Sequence, residues 1–204
     1  MQIEAITESQ SAESRRDALL EAAVGVFARY GYRKASMDEV ARAAGVSRQG
    51  LYLQFSDKEE LFRKAVRFKL TRQLSCAVAA LGNPSADLQA RLIAACDEWA
   101  GRYVGISGAD AADLMCASTA LAGSTLSDFE AQFELALANA VDDSPLRAFC
   151  AAGGFTSADV ARALHATARG LKHHSKSRQE FVQGMTVATR MFCAPLTQQP
   201  PHQE

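Results

Sequence analysis

Proline is scarce in this chain: only five of the 204 residues are proline, and three of them lie after residue 194. Long stretches of Ala, Leu, Glu, Arg and Gln, which favour helices, are therefore uninterrupted. The alternating apolar and polar pattern of a strand is lacking, and so is an internal repeat. The sequence predicts an all-α fold.

The chain also lacks a run of about 18 apolar residues, the length that crosses a bilayer. Residues 1–13 contain no basic cluster followed by an apolar stretch, so no signal peptide is predicted. Signatures of a catalytic nucleophile, a phosphate-binding glycine loop or a metal-ligand cluster are missing as well. We expect a cytoplasmic protein that is not an enzyme, uses no cofactor and has no contact with a membrane.

The five cysteines are odd in number and widely spaced, without a Cys-x-x-Cys pair. This spacing predicts neither a disulfide framework nor a zinc site. Because a free cysteine commonly behaves as a small buried hydrophobic residue, we expect reduced and mostly buried thiols. A thiol that senses oxidation remains an alternative.

The charges are unevenly distributed, although their formal sum is only -1. Between Glu13 and Arg72 there are 13 Lys and Arg against 8 Asp and Glu, whereas from Gln73 onward there are 9 against 13. A basic surface attracts phosphate backbones. The distribution indicates a basic N-terminal module joined to an acidic one.

Four helices are predicted in the first 81 residues, over residues 14–30, 36–44, 47–55 and 58–81. Ser36 and Glu39 have the spacing of a capping box, and Gly45 suits the left-handed residue that ends a helix. Leu51 and Phe55 lie four residues apart and can anchor the short third helix, so that its polar residues point outward. Two short helices joined by a tight turn, with helices before and after, form a helix-turn-helix.

The stretch from Ser36 to Phe62, SMDEVARAAGVSRQGLYLQFSDKEELF, resembles the TetR family of bacterial transcriptional regulators. The preceding RDALLEAAVGVFARYGYRKA resembles the first helix and loop of that family, so the resemblance spans Arg16 to Val66. It implies an N-terminal three-helix DNA-binding domain of the helix-turn-helix type. It further implies a C-terminal helical bundle that binds a ligand and dimerises.

The resemblance also implies which residues contact DNA. Arg48 and Gln49 are expected to read base edges, since arginine pairs with guanine and glutamine with adenine. Gly50 permits close approach of the backbone, and Gln54 occupies a position that varies in the family. The expected phosphate contacts, which set affinity and register, are Ser36, Ser47, Tyr52 and Lys58.

A domain boundary is predicted at the Gly-Asn-Pro segment of residues 82–84. The expected organisation is a flexible N-terminus over 1–12, the DNA-binding domain over 13–57, a connecting helix over 58–82, a ligand-binding and dimerisation domain over 83–195 and a disordered tail over 196–204. Within the C-terminal domain, helices are predicted over 85–104, 109–122, 127–139, 157–171 and 177–192, with a turn or short helix at Pro145.

Aromatic residues spaced four apart on single helix faces mark a candidate effector pocket, which would suit a small, largely apolar or aromatic molecule. The alternative is that these side chains simply fill the core. The predicted ligand-binding residues are Trp99, Tyr103, Met115, Phe129, Phe133 and Phe149.

The last two helices carry apolar residues with the spacing i, i+4, i+7, i+11. This pattern suits a four-helix interface between two copies, and packing within one chain is the alternative. A homodimer is expected because two helix-turn-helix units must reach successive major grooves about 34 Å apart. The predicted interface residues are Val160, Leu164, Thr167, Leu171, Phe181, Met185, Ala188 and Phe192.

The function predicted from the sequence is a DNA-binding transcriptional regulator that forms a homodimer on double-stranded DNA. By resemblance it is a repressor, released from a palindromic operator by a small-molecule effector. The alternative is a regulator that is switched by a protein partner or by oxidation of a cysteine such as Cys96 or Cys116.

Overall fold

A computed structural model of the chain describes residues 2–105 and 109–197, and all regular structure in these ranges is helical. This confirms the predicted all-α fold. None of the helices in the described ranges is long and apolar enough to cross a membrane. The helices are α1 (Gln2–Lys34), α2 (Met37–Ala44), α3 (Arg48–Tyr52), α4 (Lys58–Leu81), α5 (Leu88–Trp99), α6 (Ala109–Asp142), α7 (Leu146–Ala152), α8 (Ser157–His174) and α9 (Arg178–Thr197).

The chain divides into two compact units, and each contains two separate stretches of sequence. The first unit comprises Met1–Arg72 and Ser107–Ser127, and the second comprises Gln73–Ile106 and Asp128–Glu204. The division therefore lies inside α4 and inside α6, and the predicted boundaries at residues 57 and 82 do not coincide with it.

The core of the first unit is built around aromatic rings at the end of α1 and on α4. The ring centres of Phe27 and Phe62 are 5.0 Å apart, and those of Tyr32 and Phe62 are 4.9 Å apart. Ala117 of α6 is buried in the same core. Asp113, also on α6, accepts a hydrogen bond of 2.8 Å from the backbone amide of Arg33. The beginning of α6 is thus part of the unit that contains the helix-turn-helix.

In the second unit, α5 and the turn after it pack closely against α9. Phe181 of α9 is completely buried, and a Cβ added to Gly101 would lie 2.7 Å from its ring. The same Cβ would overlap the carboxylate of Asp97, whose two oxygens share the Nε–H of Arg178 at N–O distances of 2.9 and 3.0 Å. Only glycine lets these two helices approach so closely at this point.

Several helices begin or end at different residues from those that the sequence predicted. The first helix begins at Gln2 instead of near residue 14, because residues 2–13 are mostly Ala, Glu, Gln and Ser without a proline or glycine to stop a helix. Tyr103 lies in a short 3₁₀ turn after α5, and the two helices predicted before and after residue 122 are joined in α6 with a kink at Ala122. Residues 198–204 of the predicted tail lie outside the described residues.

Candidate nucleic-acid interface

The N-terminus of α2 is fixed by the capping box that the sequence predicted. The Ser36 hydroxyl accepts a hydrogen bond of 3.3 Å from the backbone amide of Glu39, and the Glu39 carboxylate accepts one of 2.8 Å from the amide of Ser36. At the other end of α2, Gly45 has a φ of 68° and turns the chain into α3. Local side-chain chemistry thus determines both ends of the first helix of the motif.

The short α3 is anchored by two residues and presents the others to solvent. Leu51 and Phe55 are buried, at 0% and 1% exposure, as their spacing predicted. The hydroxyl of Ser47 accepts a hydrogen bond of 3.0 Å from the amide of Gly50, where an added Cβ would lie only 3.2 Å from that hydroxyl. The exposed side chains of residues 48–54 are those of Arg48, Gln49, Tyr52, Leu53 and Gln54.

Arg48 is held between two neighbours on the exposed side of the motif. Its Nη1 donates a hydrogen bond of 3.1 Å to the carboxylate of Asp38, on the first turn of α2. Its guanidinium carbon lies 5.5 Å from the centre of the Tyr52 ring, within the range of a cation–π contact. Asp38 had no sequence signal that paired it with Arg48, because only the fold brings together residues ten apart on different helices.

Lys58, predicted to contact a phosphate, has a different position in the structure. Its ammonium donates hydrogen bonds of 3.0, 3.3 and 3.1 Å to the backbone carbonyls of Tyr32, Arg33 and Ala35. A lysine has three N–H donors, so each has an acceptor within the protein. The side chain therefore fastens the end of α1 instead of reaching outward.

Comparison with known proteins identifies the motif. The family model described as bacterial regulatory proteins of the tetR family matches residues 19–65. This helix-turn-helix domain belongs to the TetR family. The proteins described by this family model are bacterial regulatory proteins.

Named relatives match this chain over short segments. YfiR, an uncharacterized regulator of Bacillus subtilis, is 40% identical over 62 residues, which are 30% of each chain. FasR, a transcriptional activator of Mycolicibacterium smegmatis, is 52% identical over 50 residues, which are 24% of this chain and 23% of FasR. The matched segments thus span less than a third of these relatives.

Beyond the TetR domain, the likeness is one of fold. A transcriptional regulator from Rhodococcus sp. RHA1, solved by crystallography, matches with a TM-score of 0.63 over 87% of this chain and 95% of its own. The two sequences are 21% identical, so this likeness establishes the fold alone.

The structure brings together only some of the residues predicted to line an effector pocket. Trp99 and Phe133 are buried and stacked, with ring centres 4.6 Å apart, and Phe129 is buried one turn before Phe133. Tyr103 is partly buried, whereas Phe149 is 46% exposed. Met115 is 55% exposed and belongs to the first unit, because the kinked α6 contributes to both units.

His165, which the sequence analysis left out of the pocket set, lies against the stacked pair. Its Nδ1 lies 2.7 Å from the carboxylate of Glu134, and its Nε2 lies 3.3 Å from the indole nitrogen of Trp99. Since the indole N–H can only donate, Nε2 accepts and Nδ1 carries the proton. A polar pair therefore lies beside the aromatic rings, with His165 buried and the Glu134 side chain 34% exposed, and neither residue had a sequence pattern that marked it.

Four of the eight predicted dimer-interface residues are buried within the single chain. The exposure of Val160 is 7%, and that of Leu164, Phe181 and Met185 is 0%. Their periodic spacing reflects packing of α8 and α9 inside the second unit, so these side chains are not available to a second copy. The other four, Thr167, Leu171, Ala188 and Phe192, are partly exposed.

The five cysteines of the chain are free thiols in the structure. Cys96, Cys150 and Cys193 are buried, and Cys76 and Cys116 are exposed. Burial, with a smaller contribution from Asp97, raises the pKa of Cys96 to about 12, so this thiol stays protonated at neutral pH. Because the thiolate is the reactive form, Cys96 is a poor sensor of oxidation.

Proposed function

We propose that this chain is a DNA-binding transcriptional regulator that acts as a homodimer on a palindromic operator. The observation that carries the proposal is the exposed face of α3, where Arg48 and Gln49 project from a helix whose opposite side is anchored by Leu51. A short helix presented in this way can enter a major groove. Arg48 and Gln49 read bases, and Ser36, Ser47 and Tyr52 contact phosphates.

A small, largely apolar or aromatic effector controls this binding in the second unit. The stacked Trp99 and Phe133 support an aromatic partner, and the pair of His165 and Glu134 supplies a polar group for orientation. The effector favours the state that does not bind the operator, so it releases the DNA. Repression follows if the operator overlaps a promoter. If the expression of a reporter gene behind the operator fell when the regulator was deleted, the regulator would instead be an activator.

We expect Arg48→Ala to reduce the preference for the operator over random DNA by about 1–3 kcal/mol, the free energy of one base-reading arginine. The measurement is the dissociation constant of both duplexes at one salt concentration, since affinity for DNA depends on salt. Arg63→Ala, on α4, is a matched control that removes the same charge from a side chain paired with Glu59. Equal losses on both duplexes for Arg48→Ala would exclude base reading.

The surface of α8 and α9 that remains for a second copy differs from the predicted one. Val187 and Met191, four residues apart on α9, are 61% and 74% exposed. Beside them, a depression of about 320 Å³ is lined by Leu171, His174, Gly184 and Val187, among others. We place the dimer contact on this apolar face, because large exposed apolar side chains gain most from burial.

Val187→Glu combined with Met191→Glu should convert the dimer into a folded monomer, because the two carboxylates would lose their hydration in the contact. Sedimentation velocity gives the mass, and circular dichroism checks the fold. Leu135→Glu is a matched control, since Leu135 is also 61% exposed but lies on α6. A double variant that stays dimeric, or a control that becomes monomeric, would place the contact elsewhere.

A further inference from the structure

An acidic side chain stands beside the arginine that we expect to read DNA. Asp38 lies on the first turn of α2, and Arg48 is the first residue of α3. The structure joins them with a hydrogen bond of 3.1 Å. We propose that Asp38 is a positioning residue that holds Arg48 in the orientation from which it reads a base. The inference rests on the proposed function of Arg48.

The contacts of Arg48 reduce the number of conformations that its side chain samples before it meets DNA. A long side chain that becomes ordered only on binding loses conformational entropy, and this loss lowers the affinity. Here the guanidinium is confined by the Asp38 carboxylate and by the Tyr52 ring at 5.5 Å. Asp38 engages Nη1, whereas the guanidinium has five N–H donors in total. The pair is therefore compatible with simultaneous hydrogen bonds from Arg48 to a guanine.

The Asp38 carboxylate has a second effect on binding, which comes from its charge. Its side chain is 52% exposed on the same side of the motif as Arg48. A carboxylate on a DNA-facing surface repels phosphates whatever the base sequence, so it weakens binding to the operator and to random DNA alike. Orientation of Arg48 strengthens binding to the operator alone. Orientation is therefore the effect that raises the ratio between operator affinity and random-DNA affinity.

A purely structural role for Asp38 would have a different signature. A negative charge in the first turn of a helix interacts favourably with the helix dipole. However, Ser36 and Glu39 already form a complete capping box at this end of α2. If Asp38 served α2 alone, its loss would change the thermal stability and would leave the affinity ratio unchanged.

The test compares the full chain and its variants on two duplexes: the sequence selected by the wild-type chain from a random pool, and a scramble of it. We expect Asp38→Ala to lower the ratio of the two affinities about two- to fivefold, the range typical of an exposed ion pair. In an Arg48→Ala background, the same substitution should leave the ratio unchanged, because nothing remains to be positioned. Asp38→Asn, which keeps an acceptor oxygen, should retain part of the ratio.

Glu21→Ala is the matched control for charge. Glu21 pairs with Arg72, and the exposures of that pair, 59% and 65%, are close to the 52% and 65% of Asp38 and Arg48. Glu21→Ala should strengthen binding to the selected and scrambled duplexes by the same factor, or leave both affinities unchanged. The positioning role alone would be overturned if Asp38→Ala left the affinity ratio unchanged. It would also be overturned if Asp38→Ala lowered the ratio by the same factor in the wild-type and Arg48→Ala backgrounds. A wild-type ratio of one would overturn the proposed function and this inference together.

Discussion

Phe181→Ala should lower the free energy of unfolding by about 3–5 kcal/mol, the range for removal of a buried phenyl ring. The ring is completely buried and lies against Gly101, which has no side chain that could turn into the space left by the ring. Urea unfolding followed by circular dichroism measures the loss. Phe155→Ala is the matched control, because Phe155 is 62% exposed, and its cost should stay below about 1 kcal/mol.

Phe181→Ala also distinguishes packing of Phe181 within its own chain from a position at the dimer interface. If the ring packs within the chain, the loss should be equal in the wild-type background and in the monomeric Val187→Glu, Met191→Glu background. If the ring lay at the dimer interface, Phe181→Ala would instead produce a stable monomer. The second result would contradict the packing of α9 described above.

Lys58→Met should destabilise the first unit by about 2–3 kcal/mol, because hydrogen bonds from a charged donor contribute more than neutral ones. Methionine keeps most of the aliphatic stem and removes the ammonium that binds the carbonyls of Tyr32, Arg33 and Ala35. The end of α1 would then lose its attachment to α4. Thermal unfolding measures the change, and Lys64→Met, at an exposed position of the same helix, should have little effect.

DNA binding distinguishes this structural role of Lys58 from a phosphate contact. Below the unfolding temperature, the Lys58→Met variant should bind DNA with a salt dependence equal to that of the wild type. A phosphate contact would reduce the slope of log K against log salt by about one and leave the thermal stability unchanged. That second pattern would show that Lys58 turns outward on DNA.

The features that the sequence predicted correctly are determined over short distances along the chain. Ser36 and Glu39 are three residues apart, and Leu51 and Phe55 are four apart, so the caps and the anchored side of α3 follow from helix geometry alone. The position of Gly45 follows from the conformation that only glycine adopts readily. Together these local rules predicted the exposed face of α3.

The features that the sequence could not predict depend on which helices meet. Apolar periodicity showed that one side of α9 is buried, but Phe181 and Met185 would show the same periodicity against their own chain or against a second copy. The pairs formed by Lys58 with Tyr32 and by His165 with Trp99 join residues 26 and 66 positions apart. The resemblance to the TetR family gave Lys58 the role of a phosphate contact, and no local spacing indicated that its ammonium meets the carbonyl of Tyr32.

The contribution of α6 to the first unit has a consequence for synthesis of the protein. Asp113 binds the amide of Arg33 across 80 positions of sequence, and Ala117 is buried beside residues of α1, α2 and α4. On the ribosome, the chain up to Leu81 contains the complete helix-turn-helix but not the residues that close its core. Domains generally fold as they emerge, N-terminal first. Here the unit that contains the helix-turn-helix reaches its final packing only after the chain has been translated as far as Ala117.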